Sequence, residues 1–365
     1  MFNSFKVSNF KCFSDITFDK LGQINLISGK NNVGKTALLE ALWIHHGYDN
    51  PSVSARVPLL RGIEAYSNVD FLNDMFYDFD NNRKIQFVAD RGDGQTDTLV
   101  IESRDSEITQ ISLSRPPEGQ HNGDIYTTMP PSETSTEHYG KEVVYIYENN
   151  KGISLTGKTY INEVGQIIAD RKGKKIKRPN GIFLTPRKLE SMQAYAERLS
   201  TINVKRKEER DKLLRILQII EPRIKNVSTE QLANKPMIYI DVGLRLLLPL
   251  PLAGDGLFNV LRYILAILDS PGGLVLIDEI ENGIHYSILD NLWEILSILS
   301  SENKVQLFAT THSIECINAA RNFFMENEKY DFKYHRLEKI KDKITAVTYD
   351  TDLLENSLEA DFEVR

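Results

Sequence analysis

The chain has 365 residues, with 44 Lys and Arg against 51 Asp and Glu and a formal charge of −7. That length accommodates one large domain or two modest ones, and 41% hydrophobic with 26% charged residues is the composition of a folded protein, not a disordered or fibrous one. The overall electrostatics do not advertise nucleic acid. Cys12 and Cys316 stand far apart with no second Cys or clustered His nearby, which excludes a disulfide framework and a cysteine-based zinc site and points to reduced thiols in a cytosolic protein.

Residues 1–13 carry charge within their apolar stretch and lack a small-residue cleavage site, so they do not read as a signal peptide. Apolar stretches such as 242–253 fall short of the roughly 18 residues that a membrane span needs. The expectation is a cytoplasmic protein.

Period-2 alternation through Phe5, Val7 and Phe10, and again around Phe13, Ile16 and Phe18, predicts two paired strands. A short apolar strand over 24–28 then runs into Gly29, and after a Gly/Asn-rich turn Ala37, Leu38, Ala41, Leu42 and Ile44 recur at helical spacing over 36–46. The order is strand, glycine loop, helix. Residues 47–82 read as short helices and loops. Strands are predicted at 84–90, 98–103, 108–114, 142–148 and 161–169, an antiparallel β insertion whose least ordered piece is 115–140, rich in Pro, Ser, Thr, Gly and Glu. The run 171–178 packs six cations into eight residues. It reads either as a solvated loop or as a patch for phosphates or an acidic partner. Helices follow over 187–220, ended by Pro222, then strands over 237–250, an apolar helix over 257–268, a buried strand over 274–277, an amphipathic helix over 286–299, a strand over 305–309 and a closing hairpin over 331–350. Alternating strand and helix in this last third predicts an α/β fold with a mostly parallel sheet.

Gly29-Lys30-Asn31-Asn32-Val33-Gly34-Lys35-Thr36 fits the phosphate-loop pattern G-x-x-x-x-G-K-[ST] at every defined position, with the required strand before it and helix after it. Backbone N–H groups of such a loop and of the helix start, through Ala37, point at phosphate oxygens. Lys35 reaches the β- and γ-phosphates, and the Thr36 hydroxyl serves Mg²⁺. The apolar run Leu274-Val275-Leu276-Ile277 ends in Asp278 and Glu279. Asp278 is placed to hold the metal through its water shell, and Glu279 to act as general base or water-orienting group. Downstream, Thr310-Thr311-His312-Ser313 puts a histidine just past a buried strand, where it could donate to the γ-phosphate and sense its loss.

These motifs, GKNNVGKT, LVLIDEIENGIH and TTHS with the opening NFKCF, resemble the ABC-type ATPase head shared by the SMC, RecF and OLD-like (overcoming-lysogenization-defect) ATPases. The OLD-like group is most similar, because its run of GDG, a helix, LLIDEIENGLH and FATTHS is nearly duplicated in 254–313. The resemblance implies a P-loop head of ABC/SMC type built from both chain ends. Residues 1–46 form its N-terminal lobe, 47–181 a β-rich insertion, 182–235 a helical arm region and 236–365 the C-terminal lobe. It further implies a head-to-head homodimer or higher homo-oligomer, with ATP and Mg²⁺ on one subunit closed over by the signature of the other. Gly254-Asp255-Gly256 stands where the family places that signature, but Gly254 replaces the usual serine and Asp255 adds a charge that repels phosphate. By the same resemblance Glu281-Asn282-Gly283-Ile284-His285 is a dimer-facing loop, and Lys11 matches a cation near the nucleotide. OLD proteins carry a C-terminal TOPRIM nuclease, for which the roughly 50 residues after His312 are too few. The expectation is therefore an ATPase that controls a separate effector, a nuclease or toxin, in anti-phage defence, with DNA as a further ligand. A RecF/SMC-like DNA-repair clamp and a slow-turnover, nucleotide-gated scaffold are the alternatives.

Overall fold

The computed structural model describes residues 1–61, 73–92, 94–108, 138–161, 167–172, 178–187, 191–205, 207–232 and 235–349. In chain order its elements are β1 (Ser4–Phe10), β2 (Phe13–Phe18), β3 (Ile24–Gly29), α1 (Lys35–His46), α2 (Val53–Leu60), β4 (Ile85–Asp90), β5 (Thr96–Ile108), β6 (His138–Asn149), β7 (Ser154–Ile161), β8 (Ile167–Lys172) and β9 (Gly181–Leu184). There follow α3 (Met192–Lys205), α4 (Lys207–Ile220), β10 (Asn226–Leu232), β11 (Lys235–Asp241), β12 (Leu248–Pro249), α5 (Asp255–Leu268), β13 (Leu274–Ile277), α6 (Leu289–Asn303), β14 (Gln306–Thr310), α7 (Ile314–Glu326), β15 (Phe332–Ile340) and β16 (Lys343–Tyr349).

The central sheet runs β16-β15-β3-β14-β13-β9, parallel throughout except for the antiparallel edge strand β16. Every residue of β3, β13 and β14 is buried, as expected for parallel strands covered on both faces. Successive side chains serve opposite cores. Val275, Ile277, Leu307 and Ala309 pack in one cluster with α5, α6 and α7, while Leu274, Leu276 and Phe308 join the cluster that holds α1 and the aromatic faces of β1 and β2. Helix α5 is buried at every position from Leu257 to Leu268, so it is a core helix and not a surface one.

A second, antiparallel sheet runs β2-β1-β4-β5-β6-β7-β8. The opening hairpin thus shares one layer with the strands of the β-rich segment, and α1 lies against the core that this layer shares with the central sheet. Residues 161–169 do not form the single strand expected from their apolar content. β7 ends at Ile161 and β8 begins at Ile167, and the two pair antiparallel. Residues 162–166 between them lie outside the described residues. The strand expected at 108–114 and the segment 115–140 lie outside the described residues, apart from Ile108 at the end of β5 and 138–140 at the start of β6. Of the basic run, 173–177 lie outside them too. Arg178 donates to Asp49 at 2.6 Å and Arg171 to its backbone carbonyl at 3.3 Å, so these two cations are tied down. The helix expected from 286 starts at Leu289 after a 3₁₀ turn, Tyr286–Ile288, and β10 and α7 are additional elements. Among the described residues no helix is long and apolar enough to cross a membrane.

Three buried histidines make the fold acid-sensitive. Burial lowers the pKa of His45, His46 and His335 from 6.5 to about 3, helped by the cations Arg91 at His45, Arg178 at His46 and Lys333 at His335. A group that is neutral in the fold but titrates near 6.5 when unfolded supports stability above that pH, and the support is lost as pH falls below it. Each histidine contributes up to about 1.4 kcal/mol per pH unit in that window. Denaturant titrations at pH 7 and pH 5 are expected to show the loss. His45→Phe keeps a ring beside Phe2 and Phe5, whose centroids lie 5.5 and 5.4 Å from that of His45, and is expected to recover about 2 kcal/mol of it. Equal wild-type stability at both pH values would contradict the assignment.

Candidate active site

The phosphate loop is shaped by its glycines. Gly29 has φ 139° and a Cβ there would stand 2.5 Å from the Leu337 carbonyl oxygen; Gly34 has φ 95° and a Cβ there would stand 2.5 Å from Cys12 Sγ. Both positions therefore exclude other residues on backbone and spatial grounds. Lys30, Asn31 and Asn32 are exposed, Asn32 also at positive φ, while Val33 is buried and Ala37 packs beneath the loop. Helix α1 starts at Lys35 with Gly34 as its cap and no side-chain hydrogen bond to its first amides. Lys35 Nζ folds back onto the loop, donating to the carbonyls of Gly29 at 2.6 Å and Lys30 at 3.0 Å. Burial lowers its pKa to about 8, against the opposing pull of Asp278, Glu279 and Glu281.

Parallel pairing sets Ala309 opposite Ile277, so the ends of β13 and β14 emerge together. Thr36 Oγ1 donates to both carboxylate oxygens of Asp278, at 3.1 and 3.0 Å, and Thr310 Oγ1 donates to Oδ1 at 2.6 Å. Thr310 Oγ1 also accepts the Glu279 amide at 2.9 Å. Burial pushes the Asp278 carboxyl up, and these two hydroxyl donors oppose the shift. Glu279 adopts φ 52°, a left-handed backbone that a non-glycine residue takes at some cost, and this bends the chain out of the strand. Its carboxyl is also pushed up, first by burial and then by the Asp278 charge, while His312 opposes the shift. His312 Nε2 stands 3.9 Å from Glu279 Oε1, an ion-pair distance and too long for a hydrogen bond. Lys35, Thr36, Asp278, Glu279 and His312 are thus gathered at one edge of the central sheet.

The other expected residues have partners of their own. The Lys11 amine is ion-paired to Glu40, a buried residue one turn beyond Thr36, and Arg61 reaches the same carboxylate through Nε at 2.7 Å and Nη2 at 3.0 Å. Gly254, at φ 101°, caps α5, and no atom lies within 4 Å of the Cβ it lacks. Asp255 falls in the first turn of that helix, and Gly256 faces the Gly283 carbonyl at 3.1 Å from a would-be Cβ. The Glu281–His285 loop is consequently packed on the start of α5 within the same chain.

Sequence reasoning missed Glu40, Arg61, Thr185 and Arg262, and named Thr310 only as the first residue of the motif that carries His312. Arg262 is buried, donating to Tyr195 Oη at 3.1 Å, Asn259 Oδ1 at 2.9 Å and the Thr185 carbonyl at 3.1 Å, which joins α5 to the end of β9. A charged residue within the largely apolar run 257–268 was the available signal, since buried charges require partners.

A family profile described as "AAA domain" matches residues 4–236, more than half of the chain. The chain belongs to this AAA-domain family. A second profile, "AAA domain, putative AbiEii toxin, Type IV TA system", matches residues 156–318. A curated relative from Helicobacter pylori named "ATP/GTP phosphatase" is 25% identical, with 90% of each chain covered. Among solved structures, an SMC head bound to the C-winged helix domain of ScpA matches with a TM-score of 0.50 at 10% identity, covering 98% of this chain and 99% of that one. The likeness is one of fold, and it agrees with the α/β P-loop architecture described above. This AAA-domain protein is an ATPase.

Thr310 is the hinge of the site's hydrogen bonding. Thr310→Val keeps the shape but leaves Asp278 Oδ1 and the Glu279 amide short of a partner, a loss of about 1–3 kcal/mol. Turnover of ATP is expected to fall about tenfold or more while the fold is retained, as read by phosphate release and circular dichroism. Unchanged turnover would show that the Thr310 bridge does not organise the site.

Proposed function

We propose that this protein is a Mg-dependent, OLD-like ATPase that works as a pair of heads and controls a separate effector. The observation that carries this reading is the meeting of Lys35, Thr36, Asp278, Glu279 and His312 at the neighbouring ends of β3, β14 and β13. The Lys35 cation and the backbone amides of the loop and of the start of α1, which no side chain caps, bind the phosphates of ATP. The oxygen-only donor pair Thr36 and Asp278 suits Mg²⁺, which takes one or two protein oxygens and completes its shell with phosphate and water. Bound there, the ion would neutralise charge on the β- and γ-phosphates. Glu279, whose pKa is raised, orients the attacking water and takes its proton. His312, half-exposed beside it, donates to the γ-phosphate.

The start of α5 supports the pairing of heads. Its cap is an exposed glycine with open space around it, and its first amides have no side-chain cap. A second copy's γ-phosphate meets those amides when two heads close. Asp255 opposes that approach, so closure depends on a compensating cation. The toxin–antitoxin wording of the profile over 156–318 is in keeping with a defence setting and with a nuclease or toxin as effector.

The test is phosphate release by the purified protein with Mg-ATP and Mg-GTP, with and without DNA, while mass is followed by light scattering. Lys35→Ala and Glu279→Gln are each expected to lower turnover by about 10²-fold or more. Glu279→Gln with ATP should accumulate a species of at least twice the monomer mass, and chelation of Mg²⁺ should abolish both effects. Wild-type turnover equal to that of both variants, with no change in mass, would overturn the reading.

A further inference from the structure

Glu281 lies in the loop that the family resemblance places at the face between two heads, yet its carboxylate turns inward. Glu281 Oε1 accepts the backbone amide of His312 at 2.7 Å and that of Ser313 at 3.2 Å. Ser313 has a second acceptor in Thr311 Oγ1 at 3.1 Å, and its own hydroxyl caps α7 by accepting the Cys316 amide at 3.1 Å. The cap of α7 is therefore independent of Glu281, whereas the His312 amide has Glu281 as its acceptor. Glu281 Oε2 is buried and makes no hydrogen bond among the described residues, a costly arrangement that packing alone does not reward.

The residues on either side of Glu281 are fastened to α5. The Ile280 carbonyl accepts from Tyr263 Oη at 3.1 Å, and the Asn282 carbonyl accepts from Asn259 Nδ2 at 2.8 Å. Gly283 has φ 71°, and a Cβ there would stand 3.1 Å from both Asn259 Nδ2 and Asp255 Cβ, so the loop lies directly on the first turns of that helix. One carboxylate thus spans the gap between the helix whose start faces a second copy and the backbone that aims His312 at Glu279.

We infer that Glu281 is a positioning residue for hydrolysis, holding His312 in register with Glu279 and relaying the position of α5 to that pair. The inference rests on the reading of the site as an ATPase centre, and it separates hydrolysis from binding. Glu281 makes no hydrogen bond to Lys35, Thr36 or Asp278 and acts on Lys35 only through its charge, so its loss should change ATP affinity little while it slows the chemical step. Gln preserves an acceptor oxygen for the His312 amide, and the Oε2 position has no partner to offend. Asp keeps the charge but is one methylene too short to reach.

The experiment compares wild type, Glu281→Ala, Glu281→Asp and Glu281→Gln by steady-state kcat, equilibrium affinity for a fluorescent ATP analogue and hydrogen exchange of the peptide 309–316. For Ala and Asp, kcat is expected to fall about tenfold or more, with affinity within about threefold of wild type and faster exchange at the His312 amide. For Gln, kcat and exchange should stay within about threefold of wild type. Full kcat in Ala or Asp, affinity lost in step with kcat, or unchanged exchange would each overturn the inference. A wild-type protein that does not hydrolyse ATP sinks the ATPase reading itself, and the exchange data still decide whether Glu281 holds His312.

Discussion

A carboxylate at the end of a strand as apolar as Leu274–Ile277 is tolerated only when donors reach it, and the architecture around Asp278 answers that requirement. One hydroxyl comes from Thr36 at the start of α1, the other from Thr310 at the end of β14. Both arrive because β3, β14 and β13 run parallel, which brings the loop after β3 and the ends of the other two strands to the same edge of the sheet. The register matters as much as the direction. With Ile277 opposite Ala309, the next step along each strand pairs Asp278 with Thr310, and a slip of one residue would turn Thr310 to the other face.

The electrostatics of the site follow from the same burial. Asp278 and Glu279 are pushed toward protonation, and Lys35 toward neutrality, because each is more costly to charge in this edge of the core than in water. Groups shifted in this direction gain most when a counter-charge enters. A polyanion accompanied by a divalent cation supplies both signs at once, satisfying Lys35 with phosphate and the acids with metal. The positive φ of Glu279 fits this scheme, since it turns that carboxylate away from the Asp278 shell and toward His312.

The core of this arrangement was legible in the sequence because it is local. Continuous apolar runs mark β3, β13 and β14, and the residues that follow each run meet at one end of the sheet, so Gly29–Thr36, Asp278, Glu279 and His312 could be picked out from position alone. Contacts across the chain were not legible in this way. Thr310 was visible only as part of TTHS, and its bridge to Asp278 depends on strand order. Lys11 was assigned from resemblance, and its pairing with Glu40, whose charge is also shared by Arg61, had no signal in the sequence. The strand boundary after Ile161 was missed because apolar residues stand on both sides of it, at Ile161 and at Ile167 and Ile168, and their periodicity reads as continuous. Glu281, one of several acids in DEIENGIH, has no local pattern to separate it from its neighbours, and only the fold shows which way it faces.

The central claim is that the phosphates of ATP lie between the loop after β3 and the ends of β13 and β14. The most direct measurement is an experimental structure of the Glu279→Gln variant with Mg-ATP. The expected result is a γ-phosphate in contact with Lys35 and His312 and a metal ion on the Thr36 and Asp278 oxygens, with the start of α5 from a second copy closing over them. Nucleotide bound elsewhere, or a triphosphate on the loop with Asp278 and His312 turned away from it, would contradict the account.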